Sequence, residues 1–270
     1  MLSVGVGNYG HPDLDLRTTV RDATELAQLM NRPSVPVYGK ASVTLLVDKQ
    51  ATSTQIISVL KDIAAKAQPD DLVMIFFAGH GKDVDGKYTF APFGFGSKNP
   101  ELLERAMQDD DDYAWDALLR KEGLGQERLL PLIHAIPASR MAVILDTCFS
   151  GFMATQDAVL QKDVNSRVTS GVGHASGRFV LSGAVSYALD DGVDASGQRT
   201  PNGMFTTLLL EAFRGKADKD GTRLIDVYKL ATYTSSKIAE RAEMLKRQQH
   251  ATYFFNGNQF FDLFAVPTAE

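Results

Sequence analysis

Two stretches of this chain are apolar without a break, and they stop in the same way. Residues 72–77 (Leu-Val-Met-Ile-Phe-Phe) run into Ala78-Gly79-His80-Gly81, and residues 141–145 (Met-Ala-Val-Ile-Leu) run into Asp146-Thr147-Cys148. A strand with one wet face alternates apolar and polar residues. An unbroken run belongs to a strand covered on both faces, as at the centre of a parallel sheet between helices. Each run presents one reactive side chain just past its C-terminal end. In open parallel sheets the strand C-termini share an edge, and ligands bind along it. His80 and Cys148 are therefore expected together on one edge.

The rest of the chain supplies the alternation of strands and helices that such a sheet needs. Residues 1–7 read as an apolar strand. Val20, Ala23, Leu26, Ala27 and Met30 fall at helical spacing, so a helix covers about 18–30, with Thr18 or Thr19 as its cap and Pro33 and Pro36 beyond its end. Residues 41–47 form a second strand. Thr52 or Ser53 caps a helix that carries Ile56, Ile57, Leu60 and Ile63 on one face. Asp85-Gly86 marks the turn of a hairpin over 82–92. Later come a helix over 126–136, a strand over 178–181, helices over 204–213 and within 225–246, and a closing strand region at 252–255 and 260–264. Residues 94–122, 155–177 and 190–202 read as exposed loops. The fold class is α/β, in a single domain over 1–270, with no internal repeat.

Bulk numbers exclude several classes. A net charge of −5 and a pI near 5.6, with no basic stripe, argue against nucleic acid as a partner. No apolar run reaches the ~18–20 residues of a membrane span, so no membrane partner is expected. The opening residues have no basic flank and read as a strand, not a signal peptide. Cys148 is the only cysteine, which excludes an intrachain disulfide and multi-cysteine zinc sites and fits a reducing, cytoplasmic setting. No G-x-x-x-x-G-K-[ST] loop is present, and Gly5-x-Gly7 does not continue as a dinucleotide fingerprint.

The chemistry that a cysteine and a histidine support together is acyl transfer. The thiolate is the nucleophile, a free thiol near pKa 8.5 is mostly protonated at neutral pH, and an imidazole can take the proton and return it to a leaving amine. The developing oxyanion needs backbone N–H donors, for which Gly81 and Cys148 are candidates.

The two stretches resemble the caspase-like cysteine peptidases, in the branch of metacaspases and bacterial caspase homologues. Phe76-Phe77-Ala78-Gly79-His80-Gly81 looks like that family's histidine motif, and Asp146-Thr147-Cys148-Phe149-Ser150-Gly151 like its D-x-C-x-S-G nucleophile motif. Val4-Gly5-Val6-Gly7-Asn8-Tyr9 with Arg21-Asp22-Ala23 resembles the first strand and helix. Phe205-Thr206 through Ala217 resembles a late helix. The resemblance implies a three-layer sandwich, a mostly parallel six-stranded sheet with helices on both faces. It also implies His80 as general base and acid, Cys148 as nucleophile, and a peptide bound as an added strand beside residues 178–187, with Ser182, Gly183 and Ala184 in contact.

Charge argues for specificity. Asp146 lies two residues before Cys148, and Asp22 falls where this branch places a second acid. Two carboxylates in a narrow pocket favour a cation, and the guanidinium fork of Arg suits them better than Lys. Cleavage after Arg, with Lys second, is the expectation, and the partner is a protein or peptide substrate. Lys162, Arg167 and Arg199, in the expected loops, are candidate self-cleavage sites. No cofactor is expected. Calcium at the four aspartates 109–112 is the alternative left open. An upstream regulatory domain or activating partner, common in the family, is a further expectation. The competing reading is a catalytically silent caspase-like binding module.

Overall fold

The computed structural model describes residues 1–108, 111–147, 178–183, 192–246, 249–255 and 260–267. In chain order, β1 (Leu2–Gly5) leads to helix α1 (Thr19–Met30), β2 (Thr44–Val47) and helix α2 (Ser53–Lys66). Then come β3 (Leu72–Gly79), a hairpin of β4 (Gly81–Val84) and β5 (Lys87–Phe90), helices α3 (Pro100–Gln108) and α4 (Asp112–Glu122), β6 (Leu124–Gly125) and α5 (Gln126–His134). The second long strand is β7 (Arg140–Thr147). It is followed by β8 (Phe179–Ser182), the short β9 (Gly192–Val193) and β10 (Arg199–Thr200), α6 (Met204–Glu211), β11 (Leu224–Asp226), α7 (Val227–Met244), β12 (Thr252–Phe254) and β13 (Asp262–Ala265).

Six strands make the main sheet in the order β12-β8-β7-β3-β1-β2. All neighbours are parallel except β12, which runs antiparallel to β8. The two unbroken apolar runs are indeed the central pair. Their alternate residues feed opposite cores. Val73, Ile75 and Phe77 pack with α2, α4 and α5, whereas Met74, Phe76 and Ala78 pack with α1, α6 and α7. Phe76 and Phe77 are both essentially inaccessible, and burial of each contributes about 1.5–3 kcal/mol. The layers are helix, sheet, helix. From β1 the chain moves outward to β2, then returns to the other side as β3. The crevice past the C-terminal ends of β1 and β3 is thus the point where strand order reverses, the usual ligand position in such sheets.

Local signals account for most elements. Thr52 caps α2 by accepting from the Gln55 N–H. Asp85 and Gly86 both adopt positive φ, as a two-residue turn of this hand requires. Thr18 occupies the cap position of α1 but makes no side-chain capping bond.

Three expectations are corrected. Residues 94–122 are not an irregular exposed loop: they hold α3 and α4, with Leu103, Ala106, Trp115, Leu118 and Leu119 buried. Pro100 opens α3, where its missing N–H costs nothing. Asp111, one of four consecutive aspartates, caps α4 by accepting from the Tyr113 and Ala114 N–H groups. Of residues 190–202, the described part, 192–202, is a loop only at its tip. From 192 onward they form the β9–β10 hairpin, with Val193 and Asn202 buried. Finally, β8 is an interior strand. Its backbone pairs with β7 on one side and β12 on the other, so residues 179–182 offer no free edge for a substrate strand.

Candidate active site

The rung Gly79–Thr147 is the last pair of the β3–β7 ladder. His80 follows the first residue and Cys148 follows the second. Cys148 itself lies outside the described residues, as do Ala184, Lys162 and Arg167. The strand registers alone bring the two motifs to neighbouring positions on the C-terminal edge.

His80 is partly buried. Its Nε2 lies 2.7 Å from the carbonyl oxygen of Leu14, in the loop that follows β1. A carbonyl only accepts, so in the neutral ring Nε2 carries the proton and Nδ1 is the basic nitrogen. The Tyr9 ring packs at 4.8 Å from the imidazole. Gly79, just before His80, has φ +152, and a methyl group there would stand 2.8 Å from the Tyr9 hydroxyl oxygen. Glycine is required at this turn by conformation and by space alike.

Gly81 is glycine for contact. A methyl group on it would sit 3.1 Å from Thr147 and from the Tyr88 ring. Thr147 Oγ1 and the Tyr88 hydroxyl are hydrogen-bonded at 3.2 Å, and burial pushes the Tyr88 phenol well above its ordinary range. Within the hairpin Gly81 opposes Phe90, one step from the bonded pair His80–Ala91. In an antiparallel ladder bonded and non-bonded pairs alternate, so the Gly81 N–H points away from β5.

Asp22 and Asp146 are brought together across 124 residues of chain. Asp22 is 1 % exposed, in the first turn of α1. Its carboxylate accepts from Asn202 Nδ2 at 2.9 Å and from the Gly203 N–H at 3.1 Å. Asp146 is partly buried and accepts from Thr206 Oγ1 at 2.6 Å. Both acids are thus held by the start of α6, whose N-terminal N–H groups favour negative charge. Burial nevertheless raises Asp22 well above the usual carboxylate range, and the charge of Asp146 adds to this. Hydrogen bonds from Asn202, Thr18 and Gly203 oppose the shift.

Other expected residues fall elsewhere. Ser182 is buried in β8. Gly183 donates to the Leu145 carbonyl, and its own carbonyl accepts from the Gln249 side chain, so both backbone groups are engaged within the chain. Arg199 is exposed in β10, paired with Val193. Of the four aspartates, Asp111 pairs with Arg105 and Asp112 with Lys82, while Asp109 and Asp110 lie outside the described residues. Among the described residues no group of three or more His, Cys, Asp or Glu side chains is placed to hold a metal, and no helix is long and apolar enough to cross a membrane. A cavity of about 560 Å³ opens at the opposite end of the sheet, beside Tyr38, Val43, Leu72 and Met74, away from the strand-end motifs.

The sequence assigns no role to Leu14 or Asn202, nor to Tyr9 and Thr206, which it places only within the stretches that resemble the family. Leu14 acts through its carbonyl, which leaves no trace in residue type. Asn202-Gly203 before an apolar helix is a recognisable cap signal, but the acid that it binds lies 180 residues away.

The caspase-domain family model matches residues 2–260 of the chain. No curated protein matches it. The crystal structure of protein GSU0716 from Geobacter sulfurreducens superposes with a TM-score of 0.54 at 17% identity, covering 94% of this chain and 91% of that one, and so shares the fold. With a family match over nearly its full length and a six-stranded, mostly parallel sheet whose central strands end at Gly79 and Thr147, this chain belongs to the caspase-domain family.

Proposed function

We propose that the chain is a cysteine endopeptidase that cuts after Arg, and less well after Lys. The observation that carries this reading is the Gly79–Thr147 rung, which seats His80 and the start of the D-x-C-x-S-G motif on adjacent strand ends. In the proposed reaction His80 Nδ1 takes the proton of the Cys148 thiol, and Sγ attacks the scissile carbonyl carbon. The N–H groups of Gly81 and Cys148 stabilise the oxyanion. Collapse breaks the C–N bond, and the imidazolium gives its proton to the departing amine, leaving a thioester. Water then loses a proton to His80 and attacks the thioester. The C–S bond breaks and the thiol regains its proton. Leu14 keeps the ring in the tautomer that this needs.

Asp22 and Asp146 supply the specificity. The carboxylates of buried Asp22 and partly buried Asp146 repel one another, and a guanidinium between them relieves that repulsion. An aspartate side chain in the same place would add a third negative charge. We place self-cleavage at Lys162 or Arg167, with exposed Arg199 as the second candidate, and cytoplasmic peptides or proteins as substrates. Fluorogenic peptides ending in Arg, Lys and Asp test the reading: Arg is cut fastest and Asp not at all, whereas equal rates, or cutting of the Asp peptide alone, defeat it.

A further inference from the structure

We infer that Tyr9 is a positioning residue for His80, an inference that rests on the reading of His80 as the base. The observation is a break in a hydrogen-bond ladder. The β4–β5 hairpin closes at Val84–Lys87, so bonded pairs recur at Lys82–Thr89 and at His80–Ala91. At this last pair one bond is direct, from the Ala91 N–H to the His80 carbonyl at 2.9 Å. The return bond is not. The His80 N–H donates to the Tyr9 hydroxyl at 2.9 Å, and that hydroxyl donates to the Ala91 carbonyl at 3.2 Å. A phenol oxygen from another part of the chain is inserted in the ladder at the residue that carries the imidazole.

The insertion separates the His80 N–H from the Ala91 carbonyl by one oxygen, while the His80 carbonyl stays bonded directly to the Ala91 N–H. The chain turns there at Gly79, whose missing side chain leaves room for the Tyr9 hydroxyl. Tyr9 is itself fixed: it is buried, and its N–H donates to Asp15 at 2.7 Å. The same loop carries Leu14, which holds the ring nitrogen. One loop therefore grips the base twice, by its backbone through Tyr9 and by its ring through Leu14. Without the phenol oxygen the His80 N–H either closes onto Ala91 or is left without that acceptor. Either outcome changes how the backbone that carries the imidazole is held.

The test is Tyr9→Phe in the full chain, which keeps the ring and removes the oxygen. Two readouts are taken: kcat and KM on an Arg peptide across pH, and the imidazole ¹⁵N resonances of His80, assigned with His80→Gln. The expected result is a kcat lower by about tenfold or more, an unchanged KM, a displaced acid limb and moved His80 resonances, with the other histidines unaffected. Wild-type kcat, pH profile and His80 resonances in the variant overturn the inference, even if the unfolding midpoint falls. If the wild-type chain cuts no peptide, the peptidase reading fails alone. The resonances still decide the role of Tyr9: moved supports it, unmoved overturns it.

Discussion

Gly79 and Thr147 face each other across the last rung of the central strand pair, and the backbone of Gly79 at φ +152 aims the next residue, His80, off the sheet edge. This rung depends on two glycines for different reasons. Gly79→Ala puts a side chain in a disfavoured conformation and against the Tyr9 hydroxyl oxygen. It is expected to cost about 1–3 kcal/mol in urea unfolding. Gly81 has an ordinary φ, and its added methyl only crowds Thr147 and the Tyr88 ring. Gly81→Ala is expected to cost less stability than Gly79→Ala while still lowering cleavage, because β4 must back away from Thr147. Equal destabilisation by the two would contradict the distinction.

Asp22 gives the site a pH signature. A protonated carboxyl cannot pair with a guanidinium, so kcat/KM for an Arg peptide falls as pH drops through the raised range of Asp22, above the ~3.9 of an ordinary Asp. Asp146→Asn removes the neighbouring charge, so Asp22 titrates lower and the acid limb moves to lower pH even as Arg binding weakens. Profiles of the two proteins on the same peptide decide this. The sign for stability is the reverse. Between its ordinary and its raised value the folded chain keeps the Asp22 proton that the unfolded chain has lost. The Asp22 contribution to stability therefore increases as pH falls through that window.

Arg241 braces the hairpin that leads to Asn202, the partner of Asp22. It is 3 % exposed, pairs with Glu211 at 3.1 Å and donates to the Val193 carbonyl at 2.8 Å, tying α7 to α6 and to the hairpin that leads into Asn202. Arg241→Met breaks one half of a buried pair and is expected to cost about 3–5 kcal/mol in urea unfolding. It should also raise KM for Arg peptides through the loosened hairpin. An unchanged unfolding midpoint would contradict this account of the pair.

Trp115 tests the helical packing of α4, where the aspartate run beside it predicts an exposed loop. It is 2 % exposed, on the buried face of α4. Trp115→Ala is expected to destabilise by about 3–5 kcal/mol. The neighbouring Tyr113, 74% exposed, is expected to change stability by no more than about 0.5 kcal/mol when truncated to Ala.

The central strands, the α1 and α2 helices and the Asp85-Gly86 turn were legible because each rests on local pattern. So was the pairing of the two strand ends that precede His80 and Cys148, since strand ends in a parallel sheet share an edge. What escaped was of two kinds. In α3 and α4 the pattern was present, with Leu103 and Ala106 one helical turn apart and Trp115, Leu118 and Leu119 likewise, but the aspartate run beside them read as solvated loop. Asp111 in that run caps a helix. The other kind left no local sign. The Leu14 carbonyl, the Tyr9 hydroxyl in the ladder and the grip of Asn202 on Asp22 all join distant parts of the chain. The interior place of β8 depended likewise on β12, some 70 residues on, returning antiparallel beside it.

The most direct measurement of the central claim is mass spectrometry of the chain after exposure to a peptidyl ketone electrophile ending in Arg. The account predicts a label on Cys148 alone, strongly slowed by His80→Ala, abolished by prior thiol alkylation and absent with the matching Asp electrophile. An unlabelled Cys148, or one that the Arg and Asp electrophiles label equally, would contradict it.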